Sequence, residues 1–186
     1  MEDRIFSNKN SEVIRMIFDD ILPNAAEEIC IASSTLKDFL LFFSDNKHPC
    51  LFSQYLTELA GKGIEIRILT TPKMLNYGLV KRLPPNISVR GCARNHLKLI
   101  CVDRRTAYFG TGNLTGSALG IVTPLRRNFE VGILTTNKTW VEYFHKLFCE
   151  IWNGHFCSNC KYLHRKLGCT MPGNRKYGVS CSAKRY

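Results

Sequence analysis

The sequence predicts an α/β fold: a mostly parallel mixed β-sheet flanked by helices on both faces, with a small Cys-rich basic C-terminal tail. Three observations predict it. Short apolar runs that read as strands alternate with helix-period stretches from residue 11 to residue 152. Gly and Pro punctuate the ends of those runs. From Asn153 onward the composition shifts, and the last 34 residues hold seven Lys or Arg and no Asp or Glu. We therefore divide the chain into a folded domain over 1–152 and a basic Cys/His-rich segment over 153–186.

Residues 11–22 read as a helix, with Ser11 as its cap and Val13, Ile14, Ile17, Phe18 and Ile21 as its apolar stripe. Glu28 to Ser33 is the first strand, and Ser33-Ser34-Thr35 ends it at the edge where the site is expected. Leu36 to Phe43 is read as helical. His48 follows in a loop. Leu51 to Leu59 is a helix stopped at Gly61-Lys62-Gly63. Ile64 to Thr70 is a strand, Met74 to Leu83 a helix closed by Pro84-Pro85, and Ile87 to Cys92 a strand. After Asn113, Gly116 to Gly120 reads as a short helix and Asn128 to Thr135 as a strand. Thr139 to Trp152 is a helix with a core stripe of Val141, Phe144, Phe148 and Ile151, and His145 beside that stripe.

The net charge of +11 is large for 186 residues and favours polyanionic partners, either nucleic acid or an anionic membrane surface. No apolar run approaches the roughly 20 residues needed to cross a bilayer. The start, Met-Glu-Asp-Arg, is not a signal peptide. The nine cysteines are an odd count, and Cys30, Cys92, Cys101 and Cys149 fall in apolar runs, as reduced buried thiols do. The expected location is intracellular, in the cytoplasm.

The chemistry concentrates in Asn95 to Thr115, NHLKLICVDRRTAYFGTGNLT. His96 to Val102 alternates like a half-buried strand, and Thr106 to Phe109 is a second strand. A turn centred on Arg104 and Arg105 puts Val102 opposite Ala107, His96 opposite Asn113 and Lys98 opposite Thr111. An imidazole, an ammonium, a hydroxyl and an amide then share one face, a set suited to a phosphate group. Asp103 has the opposite parity.

His96-x-Lys98-x4-Asp103-x6-Gly110-Thr111-Gly112-Asn113 resembles the HKD signature of the phospholipase D superfamily, with Thr111 where the family usually has Ser. Asn128-Phe129-Glu130 before an apolar run is similar to the acidic position that commonly follows. The resemblance spans residues 12–152 in element order and makes 1–152 a phospholipase D-like catalytic domain. It implies that His96 attacks phosphorus to give a phosphohistidine, and that Lys98, Asn113 and Thr111 hold the phosphoryl oxygens. By the same resemblance Glu130 orients the imidazole, and Asp103 belongs to the motif and braces the hairpin. The resemblance also implies that no metal or other cofactor is needed for catalysis. The family's phosphodiesterases use two such motifs, and this chain has one, so the resemblance implies a homodimer with the site on the two-fold axis.

Arg90, Arg94, Arg104, Arg105, Arg126 and Arg127 are expected near the site, with Arg94, Arg126 and Arg127 as substrate ligands. The first functional expectation is a metal-independent endonuclease acting on DNA or RNA. The second is a phospholipase D-type hydrolase of anionic phospholipid head groups, with Phe39 to Phe43 as an exposed apolar rim. The third is a nucleic-acid-binding module with a vestigial site. In the tail, Cys157-x2-Cys160-x3-His164-x4-Cys169 approaches a zinc-knuckle spacing and is a candidate structural zinc site.

Overall fold

In the computed structural model, residues 3–7, 12–43 and 48–157 are described, together with two short strand segments at 163–164 and 168–169. Nine strands and four α-helices are used below: β1 (Arg4–Ser7), α1 (Glu12–Arg15), β2 (Glu28–Ser33), β3 (Leu40–Leu41), β4 (Cys50–Leu51), α2 (Phe52–Gly61), β5 (Glu65–Thr70), α3 (Gly78–Arg82), β6 (Ser88–Gly91), β7 (Lys98–Val102), β8 (Thr106–Gly110), β9 (Val131–Thr135) and α4 (Lys138–Trp152). Seven of the strands form one sheet in the order β1-β9-β8-β7-β2-β5-β6.

The mixed sheet between helical layers is the α/β architecture expected. Parallel pairing is confined to β2-β5 and β5-β6, whose crossovers carry α2 and α3. The other four pairs are antiparallel. The physical reason is the length of the connections: three residues link β7 to β8, too few for a crossover between parallel strands. Ile29, Ile31, Ile66, Ile68 and Ile100 bury one sheet face against Phe18, Phe52, Leu56 and Leu79. Cys30, Ala32, Leu99, Cys101 and Ala107 bury the other against Val141, Phe148 and Trp152 of α4. Period-2 alternation along β2 and β7 feeds both layers at once, so those strands are buried on both sides.

Several elements differ from the sequence expectation. Residues 36–43 are extended, not helical. Asp38 caps α2 instead, its carboxylate accepting from Ser53 N at 2.9 Å and from Ser53 Oγ at 2.7 Å, and Leu40–Leu41 pairs with Cys50–Leu51. Phe39 and Leu41 are buried, so only Leu40 and Phe42 of that run face outward. Residues 116–120 form turns, with Gly120 at φ 77° ending them. The strand expected from Asn128 starts at Val131, because Asn128 N is drawn to the Ser117 carbonyl at 3.2 Å. The first helix passes from α1 into a π-helical turn over Met16–Ile21. Its expected cap Ser11 lies outside the described residues.

The β7–β8 hairpin is shifted by one residue. Cys101, not Val102, lies opposite Ala107, and Val102 pairs with Thr106. Asp103 and Arg104 both adopt positive φ, at 51° and 52°, and Arg105 N donates to Val102 O at 2.9 Å. Asp103 is held in this turn by three backbone donors: Ala26 N, Glu27 N and Glu28 N each reach its carboxylate at 2.8 Å. Burial pushes the Asp103 carboxyl up, but these bonds outweigh it and hold the group below its ordinary value of 3.8. The stabilisation is therefore present above pH 3.8 and is lost as pH falls through the lower folded value.

Next to Asp103, buried Glu28 gathers Arg67, Arg104 and His145. Its Oε1 accepts from Arg104 Nε at 2.8 Å and from His145 Nε2 at 2.9 Å, and its Oε2 from Arg67 Nη2 at 2.5 Å. Burial raises the Glu28 carboxyl, and its bond from Arg104 with the charges of His145 and Arg67 brings it below its usual value. His145 is thus a half-buried partner of Glu28, and burial holds it below 6.5.

Replacing Asp103 by Ala takes the partner from three backbone donors, of which that of Glu28 is buried, and is expected to lower the unfolding free energy by roughly 2 kcal/mol in denaturant titrations. Because folded His145 resists protonation, stability is expected to fall as pH drops below 6.5, and His145→Gln should flatten that part of the stability–pH curve.

Candidate active site

His96, Lys98, Thr111, Asn113 and Glu130 lie at one edge of the sheet, where β2, β5, β6 and β8 end and β7 and β9 begin. His96 lies two residues before Lys98, which opens β7, and is exposed. Lys98 Nζ donates to the His96 carbonyl at 2.8 Å and lies 3.1 Å from its Nδ1. Burial lowers the Lys98 ammonium below its ordinary value, and the charge of Glu130 opposes that shift. The turn before β7 is fixed by buried Asn95, whose Nδ2 donates to Leu69 O at 3.1 Å while its Oδ1 accepts from Leu97 N at 3.2 Å.

Asn113 joins the site by a route the ladder register did not foretell. In the observed register His96 extrapolates to Gly112. The chain instead leaves β8 and turns across the strand ends to β2. Asn113 Oδ1 accepts from Ser34 Oγ at 2.7 Å and from Thr35 N at 3.2 Å. A backbone N–H can only face the amide oxygen, so the amide orientation is set and Nδ2 is the donor presented elsewhere. Ser33, 3.3 Å from the same oxygen, is the Cα partner of Lys98. Leu114 N donates to Ser33 Oγ at 3.0 Å and locks the turn.

Thr111 donates to Glu130 Oε2 at 2.5 Å and accepts from Val131 N at 3.1 Å. Glu130 also accepts from Asn128 Nδ2 at 3.2 Å. Gly112 lets this happen: a Cβ there would stand 3.3 Å from Glu130 Cγ. Glu130 therefore positions the Thr111 hydroxyl, and its charge acts on Lys98.

A family model described as cardiolipin synthase, PLD-like domain, matches residues 18–152. The chain belongs to this phospholipase D-like family. Its fold is similar to that of NucT from Helicobacter pylori, with a TM-score of 0.58 at 15% identity over 80% of this chain and 94% of that one. It is also similar to Nuc from Salmonella typhimurium, a phospholipase D family member, with a TM-score of 0.56 at 15% identity over 82% and 94%. The archaeal chromatin protein TrmBL2 aligns with a TM-score of 0.54 at 17% identity over 82% of this chain and 52% of that one. Comparison with curated protein sequences found no match. Membership in the phospholipase D-like family carries a phosphodiesterase-type function. No helix among the described residues is long and apolar enough to cross a membrane.

Not every expected residue reaches the phospholipase D-like edge. Asp103 lies five residues along the chain from Lys98, about 16 Å at the usual strand rise, and its carboxylate is spent on the backbone. It is a structural member of the motif. Arg104 and Arg105 leave with it to the opposite edge, and Arg104 is bound to Glu28. Arg94 stands beside His96, with Nη1 donating to Phe156 O at 3.1 Å. Arg126 is exposed in the loop before Glu130, and Arg127 Nε donates to Val122 O at 2.8 Å. Arg90 is buried, only 2% exposed. Asn95 and Glu28 were not singled out from the sequence. Ser34 had a signal in its place at a strand end, whereas Asn95 and Glu28 had none.

Among the described residues, Glu28, Cys30 and His145 form one group of metal-ligating type, their donor atoms within 4.8 Å of one another. Arg67 already supplies the cation there, with Nη2 3.4 Å from Cys30 Sγ. Of the tail's four expected ligands, Cys157 is half-buried and Cys160 lies outside the described residues. His164 and Cys169 fall on the short antiparallel pair Leu163–His164 and Gly168–Cys169, whose side chains are likewise outside the described residues.

Proposed function

We propose that this protein is a metal-independent phosphodiesterase that cleaves nucleic acid, acting as an endonuclease at a homodimer interface. The observation that carries the reading is the convergence of His96, Lys98 and Asn113 on one sheet edge, with the Asn113 oxygen anchored and its amide donor presented. His96 attacks phosphorus, and the P–N bond forms as the P–O bond to the leaving group breaks. His96 of the partner subunit gives its proton to that oxygen, then takes one from the water that hydrolyses the phosphohistidine. Lys98 and Asn113 hold the non-bridging oxygens as charge develops, and Thr111, oriented by Glu130, lines the same edge. The net charge of +11 favours a polyanion, with Arg94 and Arg126 exposed near the site. The DNA binding named for the chromatin protein TrmBL2, which shares the fold, is in keeping with this reading.

A second reading, hydrolysis of anionic phospholipid head groups, is favoured by the loop before Glu130, where Leu125 is 100% and Phe129 93% exposed around Arg126. The tail is proposed to hold a structural zinc through Cys157, Cys160, His164 and Cys169, a donor set that suits tetrahedral zinc.

Cleavage of single- and double-stranded DNA and RNA is expected in EDTA, by a species that sediments as a dimer. His96→Asn should lose at least about 1,000-fold in rate while still binding. Phospholipid turnover without nucleic-acid cleavage would select the second reading, and binding without any turnover a vestigial site. Metal analysis is expected to find about one zinc per chain, lost in Cys157→Ser with catalysis retained.

A further inference from the structure

The two faces of the sheet are covered unequally. Of the four α-helices, α1, α2 and α3 pack on one face and α4 alone on the other. Seven strands spaced about 4.8 Å apart make that face roughly 30 Å wide, whereas a helix is about 10–12 Å across. α4 packs on β2, β7 and β8, which leaves the β9–β1 end of the face open. Ile5 lies opposite Ile133, and Ile133 opposite Phe109, so the three point to one side. Ile5 is 74% exposed, and Val131, two residues before Ile133 on the same side, is 46% exposed. The flank of α4 that faces them adds Trp140, 51% exposed, and Tyr143, 59% exposed. Both are in ring contact with Phe144, whose ring lies 4.5 Å from that of Phe109. One continuous apolar patch therefore runs along the foot of α4.

We propose that this patch is the surface on which a second copy of the chain docks, the partner's α4 lying beside the first and filling the open end of the sheet. The inference rests on the homodimeric reading above and names the surface that makes the dimer. The area suits a second copy. At about 150–250 Å² for a large side chain when free, the open parts of these residues amount to on the order of 500 Å² of apolar surface. A standard interface takes about 800 Å² from each partner, and in homodimers about 65% of it is apolar, which is about 500 Å². The chemistry excludes the other partners. None of these positions carries a charge, so a polyanion finds no cation here. A flat bilayer surface meets the raised helix before it meets the patch at its foot, whereas a second helix fits beside the first. The position joins the patch to the candidate site. Val131 follows Glu130 directly, and a cavity of about 170 Å³ runs between Phe109, Phe144 and Leu147 on one side and His96 and Lys98 on the other. In a two-fold pair the patch meets its own copy, so groups that adjoin it meet their counterparts across the axis. Docking on this face brings His96 of the partner subunit to the edge that carries His96, which the proton transfers proposed above require.

The test follows Trp140 in the full-length chain. The protein has two tryptophans and Trp152 is buried, so acrylamide quenching of fluorescence reports on Trp140. Sedimentation should show a dimer in which Trp140 is shielded, and quenching should rise as dilution releases monomer. Ile5→Arg and Tyr143→Glu change side chains that are open in the single chain, so each should keep its far-ultraviolet dichroism while weakening dimerisation by about 30-fold or more. Nucleic-acid cleavage by either variant should fall at low protein concentration and return at high concentration. A dimer that persists in both variants, with Trp140 freely quenched, overturns the proposal and leaves the phosphodiesterase reading in place. A chain that stays monomeric at every concentration overturns it as well. Shielding of Trp140 in a monomer by phosphatidylglycerol vesicles assigns the patch to a membrane surface and overturns the second copy. A dimer with shielded Trp140 that cleaves no oligonucleotide keeps the interface and overturns the nuclease reading instead.

Discussion

The Asp103 carboxylate is the point on which the geometry of this domain turns. It sits at the hairpin between β7 and β8, yet it bonds to Ala26, Glu27 and Glu28 at the start of β2. One side chain thereby fixes both the hairpin turn and the β2–β7 pairing. The pairing sets Lys98 opposite Ser33 at the far end of the same strands. Ser33 and its neighbours hold Asn113, so the edge that carries the candidate site is registered from the opposite edge of the sheet. A one-residue slip in that ladder would move Lys98 to the other face.

The second face of the sheet shows what it takes to cover a strand pair that carries polar groups. Glu28 and Cys30 share a face of β2, and α4 lies over them with His145 and Cys149 one turn apart. Burial raises the Cys30 thiol to about 12, so it stays neutral beneath the helix. Arg67 brings the compensating charge from β5, 2.5 Å from Glu28, and touches the Phe148 ring at 5.7 Å. Breaking any member leaves a buried charge without its partner, which makes the network a constraint on how α4 can sit. Because α4 also lines the cavity beside His96, this constraint carries through to the shape of the site.

The edge that carries the candidate site contains little that regular structure would place. Asn95 bonds to β5 from the turn before β7, and Asn113 bonds to the end of β2 from the turn after β8. Both are side-chain amides used as clasps between turns and strand ends. They leave His96 and Lys98 exposed enough to meet a substrate while the backbone beneath them is held.

The helices over 52–61 and 138–152 and the strands at β2, β5, β6, β7 and β8 were legible from periodicity, because their apolar residues recur at the spacing their surroundings demand. The HKD spacing was legible as well, since His96, Lys98 and Asn113 keep their motif positions whatever the fold does in detail. The hairpin register was not legible. It depends on a carboxylate binding backbone donors more than 70 residues earlier in the chain. Nor was the use of residues 36–43, whose apolar run reads as helix until Asp38 is claimed as the cap of α2. Composition and spacing by themselves determined the α/β class and the family resemblance, and they singled out His96, Lys98 and Asn113 as candidate site residues. Only the tertiary structure decided that Asp103 and Arg104 leave the site and that a cavity opens beside His96, because those outcomes rest on long-range hydrogen bonds and ion pairs that local sequence does not encode.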